Sequence, residues 1–256
     1  MAHGWSCDAW RGRRRGRSRC GARRRRGRGR LARAAAPGEQ GRTYALGELF
    51  QFYQGASLKD VLGISDAGAG RWLAPSAPFP IEDPEDTTHV YPTVEHFLAG
   101  MKVKLATSKP ELAQTLFGRE GTVHQRYLQD RITETNGGTK LLPSDRDYEL
   151  LRQETMAVRE AARDPNLRKY KAVVDDAAWA LQKDRMLEVA LQQRWTRDAR
   201  LRKIIEAARE KGKTLLYFTP GTSSSNLGGV HRTSTGLIEG ANKVGKVYMK
   251  LAGFPE

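Results

Sequence analysis

Glu95 and Lys102 are the first pair in this chain whose types and spacing could do chemistry. They sit seven residues apart in the segment Tyr91-Pro92-Thr93-Val94-Glu95-His96-Phe97-Leu98-Ala99-Gly100-Met101-Lys102. On a helix that spacing is two turns, so both side chains share a face. A carboxylate and an amine on one face can form an acid/base pair, or the lysine can attack a sugar aldehyde as a nucleophile. From spacing alone, an exposed first-turn glutamate and a solvated lysine are the more usual arrangement. His96 has no second histidine at metal-ligand spacing, so packing or capping suits it better than zinc. Gly118-Arg119 ends a second helical pattern, where an arginine can fork onto a phosphate or simply follow a glycine cap. Trp179 and Lys183 lie one turn apart; the indole can stack on a ring or pack in the core. Gly228, Gly240, Asn242 and Gly245 form a glycine-rich C-terminal stretch that could let backbone N–H groups approach a phosphate. It matches neither a Walker A loop nor the dinucleotide fingerprint.

The elements that must position these residues are mostly helical. Residues 44–53 read as a short strand or a helical turn, and 63–91 as irregular loop. A helix is expected from Pro92 to Thr107, and another from the Ser108–Glu111 capping pattern to Phe117. Residues 120–143 read as loop or weak helix, broken at Asn136-Gly137-Gly138. Further helices are expected from Ser144 or Asp145 to Arg163, over 171–196, and from Asp198 to Lys211 with Gly212 as the stop. Val174, Ala177, Ala178, Leu181, Met186, Val189 and Trp195 would give the 171–196 helix its apolar faces, with Trp72 and Trp195 in the core. Thr214–Thr219 reads as a strand, 220–240 as a Ser/Gly loop, and Ala241–Leu251 as a last helix. The expected class is α+β, predominantly helical, with a few short strands.

Charge divides the chain sharply. The 256 residues carry a formal +15, yet residues 1–36 hold 13 arginines and one acid and account for +12. The remaining 220 residues carry only +3. The basic run thus reads as a disordered Arg/Gly tail over residues 1–40, ahead of one domain at 41–256. It suits an organelle transit peptide, a non-specific nucleic-acid contact or a dispensable extension. No apolar run approaches the roughly 18 residues of a membrane helix, so no membrane partner is expected. Both cysteines, Cys7 and Cys20, lie in the tail. A cysteine nucleophile or thiolate metal site is therefore excluded from the body.

Taken in order, these blocks resemble the NADAR family, also called the YbiA-like proteins. The resemblance runs through Tyr91–His96 with Lys102, Ala113 to Gly118-Arg119, and Trp179 with Lys183. It continues through Ala190–Trp195, Leu201 to Tyr217, Leu227-Gly228 and Gly240–Met249. It spans about residues 45 to 252, with its most specific blocks at Tyr91–Lys102 and Gly240–Met249. Three departures stand out. Trp72-Leu73-Ala74-Pro75 lacks the family's asparagine, Ser223–Ser225 replace an acidic residue, and Leu227 replaces a tryptophan. About 40 extra residues also separate Arg119 from Trp179.

The resemblance implies a YbiA-like domain and an N-glycosidase. Its substrate would be a phosphorylated ribosylamino-pyrimidine of riboflavin biosynthesis, or an ADP-ribosylated base. It implies Glu95, Lys102 and Trp179 as catalytic residues. His96, Gly118, Arg119, Lys183, Gly228, Gly240, Asn242 and Gly245 would bind substrate, with no metal or cofactor. If the missing acid is essential, a non-catalytic NAD or ADP-ribose binding module is the alternative. A nucleic-acid-binding protein acting through its tail is the other. The expected location is the cytoplasm, or an organelle if residues 1–36 are a transit peptide.

Overall fold

Among the described residues, an extended aromatic strand, β1 (Leu49–Phe52), is entered from a 3₁₀ turn at Leu46–Glu48. The structure is a computed structural model that describes residues 42–123, 145–219 and 227–255, with only the backbone of 145–150. The basic tail, Asn136-Gly137-Gly138 and Ser223–Ser225 lie outside the described residues. After β1 come α1 (Ala69–Trp72), β2 (Ile81–Glu82), β3 (Val90–Tyr91), α2 (Val94–Ala106) and α3 (Leu112–Phe117). Then follow α4 (Asp145–Ala161), α5 (Asp164–Leu167), α6 (Asp176–Arg197) and α7 (Ala199–Glu210). The chain closes with β4 (Thr214–Tyr217), β5 (Val230–Arg232), β6 (Leu237–Glu239) and α8 (Lys243–Leu251). The class is mixed α+β, about half helical, with three two-stranded sheets among the described residues.

α2 is the central helix. Its cap is Thr93, whose hydroxyl accepts from the His96 backbone N–H at 3.2 Å. A threonine here satisfies one of the orphan donors of the first turn. Pro92 therefore precedes the cap instead of occupying the first turn. Val94, Phe97, Met101, Val103 and Ala106 are buried together with its first-turn Glu95 and His96. A helix so covered needs neighbours on several sides, and α3, α4 and α6 pack around it.

α6 begins at Asp175, whose carboxylate accepts from Ala177 and Ala178 N–H at 2.9 and 3.0 Å. It therefore starts five residues later than expected, because Lys171 takes a left-handed φ of 59° and turns the chain. Leu181 is 81% exposed and belongs to no core face. Asp198 ends α6 and caps α7, accepting from Leu201 N–H at 2.9 Å. β1 and β4 pair in parallel, Leu49 against Thr214 through Phe52 against Tyr217, joining the two ends of the domain. Residues 220–240, expected as loop, contain the β5–β6 hairpin. The helix expected from Ser108 starts only after Glu111, and that residue makes no side-chain cap. Trp72 and Trp195 are half-buried and packed against the core. No helix among the described residues is long and apolar enough to cross a membrane.

Candidate active site

A cavity of about 340 Å³ opens where α2, α4 and α6 meet. From α2 come Glu95, Leu98, Ala99 and Lys102, one face at helical spacing. From α6 come Trp179 and Lys183, again one turn apart. α4 adds Val158 and Arg159, Ala162 follows just past its end, and Leu227 lies on the wall as well. Such apolar walls with a few convergent charged groups are typical of ligand sites.

Glu95 lies in the first turn of α2, where the helix dipole favours a carboxylate. Its partner is Arg159, with Nη2 donating to Oε1 at 2.6 Å and Nε to Oε2 at 3.3 Å. The carboxylate is 8% exposed and the arginine 56%. The charge of Glu95 is the main cause that pushes the Arg159 guanidinium above its ordinary range. Arg159 also hydrogen-bonds Tyr217, the last residue of β4. Lys102 does not pair with Glu95; its ammonium donates to the Ala162 carbonyl at 3.2 Å. Among the described residues, no carboxylate pairs with Lys102 or Lys183. Asp184, also on the wall, is paired with Lys243 at the start of α8.

The remaining expected residues lie elsewhere. His96 points away from the cavity, into the α2–α4 contact, where Nε2 faces Glu154 Oε1 at 3.0 Å and both are buried. Gly118 closes α3, and a Cβ there would run into the Gln114 side chain and its backbone carbonyl. Arg119 N–H donates to the Val90 carbonyl at 2.8 Å. Neither residue lines the cavity. Asn242 takes a left-handed φ of 46° at the start of α8. Its amide spans to β4, accepting from Tyr217 N–H at 3.0 Å and donating to Leu215 O at 2.9 Å. Gly228 and Gly245 press on β4, where a Cβ would lie 2.6 Å from the Tyr217 carbonyl and 2.5 Å from that of Leu215, while Gly240 presses on the Gly228 carbonyl at 2.7 Å. None of these four residues lines the cavity.

Sequence reasoning missed Arg159. It belongs to no motif, and only its fold position brings it to Glu95, 64 residues away in the chain. Among the described residues no group of three His, Cys, Asp or Glu could hold a metal ion.

The buried tyrosines behind the site give a pH prediction. Burial is the main cause that raises Tyr217 above its ordinary range and pushes Tyr248 up to about 12. A phenol whose folded value is raised stabilises the fold fully below its unfolded value near 10. Above that, the unfolded chain loses protons first, and stability falls until pH passes the folded value. The unfolding free energy from urea titrations should be flat from pH 8 to about 9.5 and then drop, by about 1.4 kcal/mol per pH unit for each such tyrosine. Absorbance at 295 nm should show these phenols ionising only as the protein unfolds. Their free titration near pH 10 in the folded state would contradict this.

Comparison with protein-family models, curated proteins and solved structures gives no match.

Proposed function

We propose that the protein is an N-glycosidase that hydrolyses a ribosyl C1′–N bond in a phosphorylated ligand. It would act on a ribosylamino-pyrimidine phosphate or an ADP-ribosylated base, on a YbiA-like domain. The observation that carries this reading is the convergence on one cavity of Glu95, Lys102, Trp179 and Lys183. These are four of the residues on which the NADAR resemblance rests, drawn from two helices that the sequence places far apart.

The chemistry asks for such a set. As the C1′–N bond breaks, its electron pair leaves with nitrogen and positive charge develops on C1′ and the ring oxygen. A fixed carboxylate beside C1′ stabilises that charge. Water oxygen then bonds to C1′ and gives up a proton, and the departing nitrogen gains one. Glu95 is assigned the carboxylate role and Trp179 a ring-stacking surface. Lys102 and Lys183, which lack carboxylate partners among the described residues, suit the phosphate. Lys102 is also the residue that could trap an opened sugar as a Schiff base.

The test is to incubate the full chain with a ribosylamino-pyrimidine phosphate and, separately, with ADP-ribosylated guanine, and to look for free base chromatographically. Release from one of them is expected, and release from neither overturns the reading. One observation favours a second reading, a binding module without turnover: Arg159 already neutralises Glu95 through both oxygens. Calorimetric binding of ADP-ribose with no released product selects it.

A further inference from the structure

We infer that Arg159 is a positioning residue for Glu95, held in place because α4 braces the first turn of α2 through two pairs of opposite sense. Glu95 and His96 are neighbours on that turn, and each meets a residue of α4. Arg159 presents a cation to the Glu95 carboxylate, and the Glu154 carboxyl group faces the His96 ring. Thr93 accepts from the His96 backbone, so its hydroxyl hydrogen is available for His96 Nδ1 at 2.9 Å. The other ring nitrogen, Nε2, faces Glu154 Oε1 at 3.0 Å. The His96–Glu154 pair is almost fully buried, which suits an anchor between helices and not a ligand contact.

The Arg159 end differs, because it reaches the cavity wall. Both carboxylate oxygens of Glu95 are engaged by one planar fork, which fixes the carboxylate plane as a single bond could not. The fork has a second support in the Tyr217 hydroxyl. Tyr217 is itself fixed by stacking on Phe52, with centroids 5.5 Å apart, and by its backbone bond to Asn242. One guanidinium therefore ties α2, α4 and β4 together at the carboxylate. Asn242, Tyr217 and His96 thereby act on the cavity through Arg159 and α4, without touching its contents.

The consequence for turnover rests on the N-glycosidase reading; the positioning itself does not. The experiment couples glycinamide to accessible carboxylates with a carbodiimide in the full-length protein, maps Glu95 by mass spectrometry, and measures kcat and KM in parallel. Arg159→Met should speed labelling of Glu95 by about tenfold, the factor a lost charge-assisted hydrogen bond carries. Arg159→Lys, with one donor in place of a fork, should fall between it and the wild type. With an active protein, Arg159→Met should lower kcat by about 100-fold, as a carboxylate displaced by about 1 Å does, with KM little changed. Arg159→Lys should recover part of that loss. If Arg159→Met does not fold, Arg159→Lys and Tyr217→Phe carry the test, with the lysine variant labelled faster. Unchanged labelling overturns the proposal, as does a rise in KM at constant kcat, which would make Arg159 a ligand contact. Expected labelling with no base release from any variant leaves Arg159 as the positioning residue and overturns the N-glycosidase reading alone.

Discussion

Glu95→Gln is expected to lower base release to about 1% of the wild type or less, the loss that follows removal of one preorganised electrostatic group. The substitution keeps the shape of the side chain and removes its charge. The amide oxygen can still accept from Arg159 Nη2, now 2.6 Å from Glu95 Oε1, so the rotamer is largely retained. What disappears is the negative charge facing the developing cation on C1′. Binding should change far less, since the phosphate is held by Lys102 and Lys183 in this reading, and KM should stay within a few-fold. The fold should tolerate the change at a cost of about 1 kcal/mol or less, because Arg159 is more than half exposed and water can solvate it. Steady-state base release with matched circular dichroism checks this. Full activity in Glu95→Gln would remove Glu95 from the chemistry and leave the cavity as a binding site.

The part of this site that was legible in the sequence is the part that lies within single helices. Glu95 and Lys102 share a face because a period of 3.6 places residues seven apart together, and the same rule joins Trp179 to Lys183. Asp198 was legible as a cap, and it also terminates the preceding helix, since its backbone leaves the helical region. What was not legible is whatever depends on packing between elements. Arg159 lies in a highly charged helix where several arginines look alike, and only docking on α2 selects one. His96 sits beside the candidate carboxylate in sequence but about 100° around the helix, which sends it into the α4 contact and away from the cavity. The glycine-rich block was open to a phosphate-loop reading because composition does not distinguish a loop that approaches a ligand from one that approaches a strand. Here the close approach is to the backbone carbonyls of β4 and its neighbours. The β5–β6 hairpin escaped for a related reason: its strands are three residues each, too short for an alternating pattern to emerge.

Arg194→Ala should be the most destabilising single change, at about 3–5 kcal/mol, the cost of breaking a buried charged network on one side. Arg194 is fully buried near the end of α6. It donates to the carbonyls of Ala74 at 3.0 Å and Trp72 at 2.7 Å, and lies 3.3 Å from Asp198 Oδ2. Trp72 closes the ring, its indole N–H donating to the same carboxylate oxygen at 2.8 Å. Alanine would leave Asp198 buried without its cation, strand two carbonyls and open a void beside the Trp72 and Phe79 rings. Arg194→Met, which fills the space but donates nothing, should lose less, by the part that comes from the void. In a domain of this size each kcal/mol moves Tm by about 2–4 °C, so the alanine variant should melt roughly 6–20 °C lower. Urea unfolding of the three proteins checks the order, and a loss below about 1 kcal/mol for Arg194→Ala would show that water reaches the ring. The same variant separates scaffold from site. Arg194 lies 15 residues along α6 from Trp179, about 22 Å at helical rise, and no atom of it lines the cavity. Below its melting temperature it should therefore release base with the wild-type KM.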